Sequence, residues 1–347
     1  MDIVQLLQLQ SKLIPDMFEK FNKRYELLVS IKMNQPIGRK NLIDIVGLTE
    51  RQLRTECETL SKLGLILKST TGMTVSREGE AFLLEIREFL KEDSFVAEKK
   101  IIKEHFGVRD VYVIAGDFSK SQETRKDMVN LLFEKVNIII ERECVLGVSG
   151  GSTMGCVADM ADKTFAYGKD IMITPIRGAL TISNTGFQSN DIATKLAVNT
   201  NHRYQLLHAP DNIGKATLEE LVKEPIVKNA LDIIKNTSII IHSIGDAFEM
   251  ARRRKLSKEV LRLLKDKSAY SESFGSYFDY QGNVIYETET IGMKGEDVEK
   301  VSNIFTIVGG GDKVDAVFSY LNSKPKNTTL IIDEAICKQI LTKVITQ

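Results

Sequence analysis

Gly150-Gly151-Ser152-Thr153 follows, after Ser149, on the apolar run Val145–Val148, and helix-compatible sequence resumes at Met154. An apolar run broken by glycines and hydroxyl residues predicts a buried parallel strand, a tight turn and a helix start. That geometry leaves backbone N–H groups pointing outward at the positive end of the helix dipole, where a phosphate is favoured. Ser152 and Thr153 add hydroxyl donors for the same anion. No Lys follows the glycines, so the loop is not a Walker A motif, and it does not read GxGxxG either. A tight strand–helix turn with a Ser or Thr N-cap accounts for the same residues without any ligand.

A second polar group lies nearer the N-terminus. Arg39 to Val46 reads as a short helix closed by Gly47. Thr49-Glu50-Arg51-Gln52 is a capping box, and the helix it opens carries Leu53, Cys57, Leu60 and Leu63 on an inward stripe. Its other face carries Arg51, Gln52, Arg54, Thr55 and Glu58, and Gly64 ends it. Leu65–Lys68 and Met73–Ser76 flank Thr70-Thr71-Gly72 as a two-stranded hairpin. Helix, tight turn, polar-faced helix and hairpin make a winged helix-turn-helix, whose second helix enters the major groove. Arg39, Lys40, Thr49, Arg51, Gln52, Arg54, Thr55 and Lys68 are the candidate contacts to bases and phosphates. Residues 32–77 hold eight positive and four negative side chains, a local excess of +4 in a chain of zero formal net charge. Any attraction to DNA is therefore local. A small winged domain used only for protein contacts is the competing reading.

The elements around these two groups set the architecture. Ile3, Leu6, Leu7, Leu13, Met17, Phe18 and Phe21 recur at helical spacing, with a break or new start at Pro15, and the pattern continues to Met33. A charged helical segment runs from Gly79 to about Phe106, and a boundary near Asp93 divides the chain into domains 1–93 and 94–347. Beyond it, apolar strands alternate with helices. The strands are read at 111–114, 145–148, 171–176, 204–207, 238–245, 305–311 and 330–333. Such alternation predicts a parallel sheet covered by helices on both faces, with ligands outside the carboxyl ends of the strands.

Composition narrows the classes. Cys57, Cys144, Cys156 and Cys337 are far apart with no CxxC spacing, so neither a zinc site nor a disulfide framework is expected. His105, His202, His208 and His242 show no metal or triad spacing and are read as structural. Asp2, Gln5, Gln8 and Gln10 interrupt the N-terminal apolar stretch, and no segment is long enough to span a bilayer. A cytoplasmic protein with reduced thiols, no metal and no membrane contact is the expectation.

At this point the motifs VSGGST, TPIRG, HSIGDAFEMARRR, GSYFD and VGGGDK, following a winged helix, resemble the SorC-type sugar-binding transcriptional regulators. The resemblance covers nearly the whole chain, with the motifs in the family's order. It implies an α/β effector domain, Rossmann-like and similar to sugar-phosphate isomerases and deaminases, without a retained catalytic role or cofactor. It also implies a cytoplasmic, oligomeric (dimeric or tetrameric) repressor of central glycolytic genes, binding operator DNA and controlled by fructose 1,6-bisphosphate or a related phosphosugar. The family's phosphate loop falls on Gly150, Gly151, Ser152 and Thr153, with Ser152 in place of a Thr. Its strand-end Arg falls on Arg177, and a Gln after it falls on Gln188 with the spacing loosened by one residue. Its double Arg falls on Arg253 and Arg254, its sugar-facing Glu on Glu272 and its Gly-Gly-Lys lysine on Lys313, here beside an extra Asp312.

Each candidate has a plainer role beside the functional one. Arg177 can pair with a nearby acid, and Arg252-Arg253-Arg254 can be a solvated helix face. Lys313 opposes the dipole of the helix it begins, which favours an anion close by. A sugar-phosphate isomerase or deaminase with an accessory winged helix is the alternative function. That reading needs an acid–base pair, for which Glu272 and Asp246 are the candidates.

Overall fold

The computed structural model describes residues 15–46, 48–83, 95–178, 187–209, 214–288 and 291–345. The helix expected over Ile3–Leu13, the Gly47 stop and the charged stretch from residue 84 through Asp93 lie outside the described residues. The chain divides into two compact units, Met1–Ser94 and Phe95–Gln347.

The first unit opens with α1 (Pro15–Asn34), α2 (Arg39–Val46) and α3 (Glu50–Lys62), followed by strands β1 (Ile66–Ser69) and β2 (Gly72–Val75). Thr49 and Gln52 form the capping box at the start of α3. The helix ends as its sequence requires. Gly64 takes φ +76°, its N–H donates to Ser61 O, and Leu65 N–H donates to Leu60 O. These paired bonds are a Schellman motif, which glycine adopts without steric cost. Leu53, Cys57 and Leu60 are buried against Leu27, Leu28, Ile31 and Leu42. Leu63, expected on the same inward stripe, is 58% exposed. It is the C-cap residue, and the turn into the wing carries it off the buried face. The wing is antiparallel, Ile66 opposite Val75, and Ile37 pairs with Met73 on its other edge.

The second unit is built on a seven-stranded sheet. In chain order it runs α4 (Val96–Phe106), β3 (Asp110–Ile114), α5 (Gln122–Ile139), β4 (Glu143–Val148), α6 (Ser152–Met160), β5 (Asp170–Pro175), α7 (Ser189–Thr200) and β6 (Arg203–Tyr204). Then come α8 (Lys215–Leu221), α9 (Pro225–Lys235) and β7 (Thr237–His242). An excursion follows: β8 (Gly245–Asp246), α10 (Ala247–Arg253), α11 (Lys258–Asp266), β9 (Ala269–Ser273), β10 (Ser276–Asp279) and β11 (Val284–Glu287). The chain returns through α12 (Gly295–Lys300), β12 (Asn303–Val308), a 3-10 turn (Gly311–Lys313), α13 (Val314–Asn322), β13 (Thr328–Asp333) and α14 (Glu334–Ile345).

The large sheet has the order β3-β13-β12-β7-β4-β5-β6, and every pair in it is parallel. Its strands read as near-continuous apolar runs because both faces are covered. Ile239 and Ile241 pack on one face with Leu132, Val157 and Leu196. Ile240, between them, packs on the other with Ala230 and Ile234. Each such fully buried Ile or Leu contributes roughly 1.5–3 kcal/mol relative to exposure. The expected strand 204–207 is shorter, covering Arg203–Tyr204.

Strands β4, β5 and β6 run outward to one edge, whereas β7, β12 and β13 run outward to the other. The winding reverses between neighbours β4 and β7, and such a switch point opens a crevice at the carboxyl ends of the strands. The excursion after β7 forms a second, antiparallel sheet of order β11-β10-β9-β8. The sequence reading contained no such sheet.

Candidate effector cleft and DNA-facing helix

The crevice is a cleft of about 600 Å³, within the usual range for small-molecule sites. Gly150, Gly151, Ser152, Thr153, Arg177, Gln188, Arg253, Glu272 and Lys313 all line it. All nine effector candidates named from the sequence thus meet in one place, contributed by segments up to 163 residues apart (Gly150 to Lys313).

The loop after β4 makes its floor. Gly151 takes φ +119°, a conformation that side chains other than glycine rarely adopt. Gly155 N–H donates to Gly151 O, the first closing bond of α6. The N–H groups of Ser152, Thr153 and Met154 therefore have no intrahelical acceptor. Phe187 fixes the loop from outside, since its carbonyl accepts the Gly151 N–H at 2.8 Å. Lys313, after β12, donates from Nζ to Thr153 Oγ1 at 3.3 Å. Burial pushes its ammonium below the ordinary lysine value, while Asp312 and Glu249 pull the other way. A partly buried cation beside three helix N–H groups is an environment that an anion completes.

Arg177 ends β5. Its backbone is clamped by an antiparallel bridge to Gly292, and its carbonyl accepts a hydrogen bond from Ser189 Oγ at 2.9 Å. The guanidinium is buried and lies 3.6 Å from Glu272, which also pairs with Arg254 at 3.0 Å. Gly275 N–H donates to the same carboxylate oxygen of Glu272 at 2.7 Å. Gly275 has φ +87°, and a Cβ there would sit 2.6 Å from Arg177 Nη1. Close approach and positive φ both require glycine at this turn.

On the rim, Arg253 pairs with Glu249 at 2.5 Å, one helical turn away on α10, and both are about half exposed. Asp246 caps α10 through the Glu249 N–H. Gln188 precedes α7, and its N–H donates to the Asp191 carboxylate. His242, read as structural, forms part of the wall. Its Nε2 lies 2.6 Å from Thr306 Oγ1 and its Nδ1 3.2 Å from Ser273 Oγ. Burial pushes its pKa down to about 3, so the ring is neutral. The sequence reading missed Glu249, Ser243, Phe187 and Phe274 as lining residues. The Glu-x-x-x-Arg spacing at 249–253 was a usable sign of the rim pair.

In the first unit, Arg39, Lys40, Thr49, Arg51, Gln52, Arg54, Thr55 and Lys68 are all exposed. Thr49 and Gln52 spend polar atoms on each other in the capping box. Arg54 pairs with Glu58 at 3.0 Å, and Thr55 Oγ1 donates to Arg51 O. Arg51 is the cation on this face for which no salt bridge is formed among the described residues.

A winged helix-turn-helix in one chain with a parallel-sheet domain bearing a cationic cleft is the build of an effector-controlled DNA-binding protein. Comparison with known proteins gives the family. Residues 92–342 match the model of the sugar-binding domain, and residues 21–90 match the CggR N-terminal DNA binding domain. The chain is 33% identical to the central glycolytic genes regulator of Priestia megaterium and 32% identical to that of Bacillus subtilis. Each alignment covers 97% of this chain and 98% of the relative. The crystal structure of a SorC family transcriptional regulator from Enterococcus faecalis superposes with a TM-score of 0.66 at 31% identity, covering 71% of this chain and 99% of that one. The chain belongs to the SorC-type family of sugar-binding transcriptional regulators, as its motifs implied. Among the described residues, no helix is long and apolar enough to cross a membrane.

Proposed function

We propose that this protein is a cytoplasmic repressor of central glycolytic genes whose hold on operator DNA is controlled by fructose 1,6-bisphosphate. The observation that carries the reading is the Lys313–Thr153 hydrogen bond across the cleft floor. It joins two residues that the sequence assigned independently to phosphate binding. Ser152, Thr153, Arg177 and Lys313 form the first anion site, at the start of α6. Arg253 stands on the rim for a second phosphate, Gln188 flanks the first site, and Glu272 orients Arg177 while facing the sugar. Arg51, Gln52, Arg54 and Thr55 read the operator from α3, and Arg39, Lys40 and Lys68 hold its phosphates. A homodimer or homotetramer suits binding to repeated half-sites.

For the enzymatic alternative, the two acids named from the sequence already have structural roles. Asp246 is used as a helix cap, and Glu272 is neutralised between two guanidinium groups. Calorimetric titration of fructose 1,6-bisphosphate and fructose 6-phosphate, with and without operator DNA, tests the proposal. The bisphosphate is expected to bind more tightly, and DNA to change its affinity by the factor by which it changes that of DNA. Equal affinity for the two sugars, or turnover of either, overturns it.

A further inference from the structure

Two of the acids lining the cleft, Glu272 and Glu249, are held differently. Glu272 is buried, and one of its oxygens is shared by Arg177, Arg254 and the Gly275 N–H. A ligand cannot displace it without leaving a buried charge unpaired. Glu249 pairs with Arg253, and its side chain is 55% exposed. It also lies close enough to Lys313 to act on that ammonium electrostatically. Glu249, Arg253 and Lys313 all line the cleft.

We infer that Glu249 is a specificity-determining residue, a built-in carboxylate that competes with the ligand's second phosphate for Arg253. The inference rests on the phosphosugar reading above. An acid at the rim of an anion cleft opposes its ligand unless it swings away. Glu249 has the solvent exposure to do so, and its partner Arg253 reaches it from the next helical turn. The bisphosphate therefore binds only after exchanging one ion pair for another. Its apparent affinity is reduced by the fraction of molecules in which Arg253 is taken. A monophosphate seated at Thr153 and Arg177 leaves the rim pair intact and meets little of this competition. Glu249 thus raises the concentration at which the bisphosphate registers and narrows its lead over the monophosphate.

Glu249→Gln tests this by calorimetry with fructose 1,6-bisphosphate and fructose 6-phosphate. The expected result is a three- to tenfold tighter bisphosphate and less than a twofold change for the monophosphate. In the double variant Glu249→Gln/Arg253→Ala, the gain over Arg253→Ala alone is expected to vanish. Unchanged or weaker bisphosphate binding by a folded Glu249→Gln protein would show an ordinary helix-surface pair, or a sugar contact, and would overturn the inference. If the unaltered protein fails to prefer the bisphosphate, the phosphosugar reading itself fails, and the two failures are separate.

Discussion

The two units hold their cations in opposite ways. On α3 and the wing the cations stand in water over an apolar core: Arg51 and Arg54 on α3 and Lys68 on β1 are exposed, and Leu53, Cys57 and Leu60 on the inner side of α3 are buried. In the cleft the main cations are buried or half-buried and already engaged: Arg177 and Arg254 with Glu272, Lys313 with Thr153. A DNA duplex is large, uniform in charge and wrapped in counterions, so exposed cations suffice and salt governs affinity. A small effector must be told from its relatives, which calls for cations fixed in place.

The largest effects are expected on α3. Arg51→Ala should lower specific operator affinity by about 1–3 kcal/mol, and a triple Arg51/Gln52/Arg54 alanine variant should lose specific binding. Lys68→Ala should instead weaken all sequences and flatten the dependence of log K on log salt. Fluorescence anisotropy at several salt concentrations measures both. Operator binding unchanged in the folded triple variant would remove α3 from the DNA interface.

In the cleft, each charge-assisted hydrogen bond to a phosphate contributes about 1.5–3 kcal/mol. Thr153→Ala and Arg177→Ala should weaken fructose 6-phosphate and fructose 1,6-bisphosphate alike, whereas Arg253→Ala should weaken the bisphosphate selectively. Equal losses for both sugars in Arg253→Ala would return the rim arginine to a solvated helix face. Raising salt should cost the effector much less than it costs the operator, because Arg177 and Lys313 are shielded from bulk ions.

The contrast also explains what the sequence disclosed. The DNA-reading unit depends on local signals, such as the Thr49–Gln52 box and the Gly64 stop, which lie within a few residues of what they control. The strands of the large sheet were legible because burial on both faces makes them continuously apolar. The second sheet was not. Strand β9 reads Ala-Tyr-Ser-Glu-Ser, yet Ser271, Glu272 and Ser273 are all buried. Their polar atoms are satisfied by distant residues: Ser271 by Ser319, Ser273 by His242, and Glu272 by Arg177 and Arg254. No periodicity in the strand records those partners. Motif resemblance located Glu272, but its grip on Arg177 emerges only from the fold.

Gly275 offers a smaller perturbation that touches no ligand atom. Gly275→Ala places a methyl against the Arg177 guanidinium and strains a φ of +87°. The expected outcome is a loss of about 1 kcal/mol or more in stability, with both sugars weakened as in Arg177→Ala and operator binding by the ligand-free protein unchanged. Thermal melting read beside calorimetry separates the two effects. Sugar affinities that stay level while the melting temperature falls would show that Arg177 does not depend on this turn.

The smallest effect expected concerns Lys313 and pH. Burial lowers its pKa in the folded chain, whereas in the unfolded chain it keeps the ordinary value near 10.5. Between the two values the unfolded chain holds more protons, so the penalty for the buried charge is fully present below the folded pKa and fades as pH rises through this window. Lys313→Met should remove that penalty, raise the melting temperature of the ligand-free protein by roughly 2–4 °C per kcal/mol recovered, and reduce the stabilisation that the bisphosphate confers. An anion on Lys313 favours its charged form, so binding should take up protons in the same window and weaken as pH climbs through it. Titrations in buffers of different ionisation enthalpy report that uptake directly. Binding heats that do not depend on the buffer within this window would mean that no phosphate rests on Lys313, and that the ammonium serves only to hold Thr153.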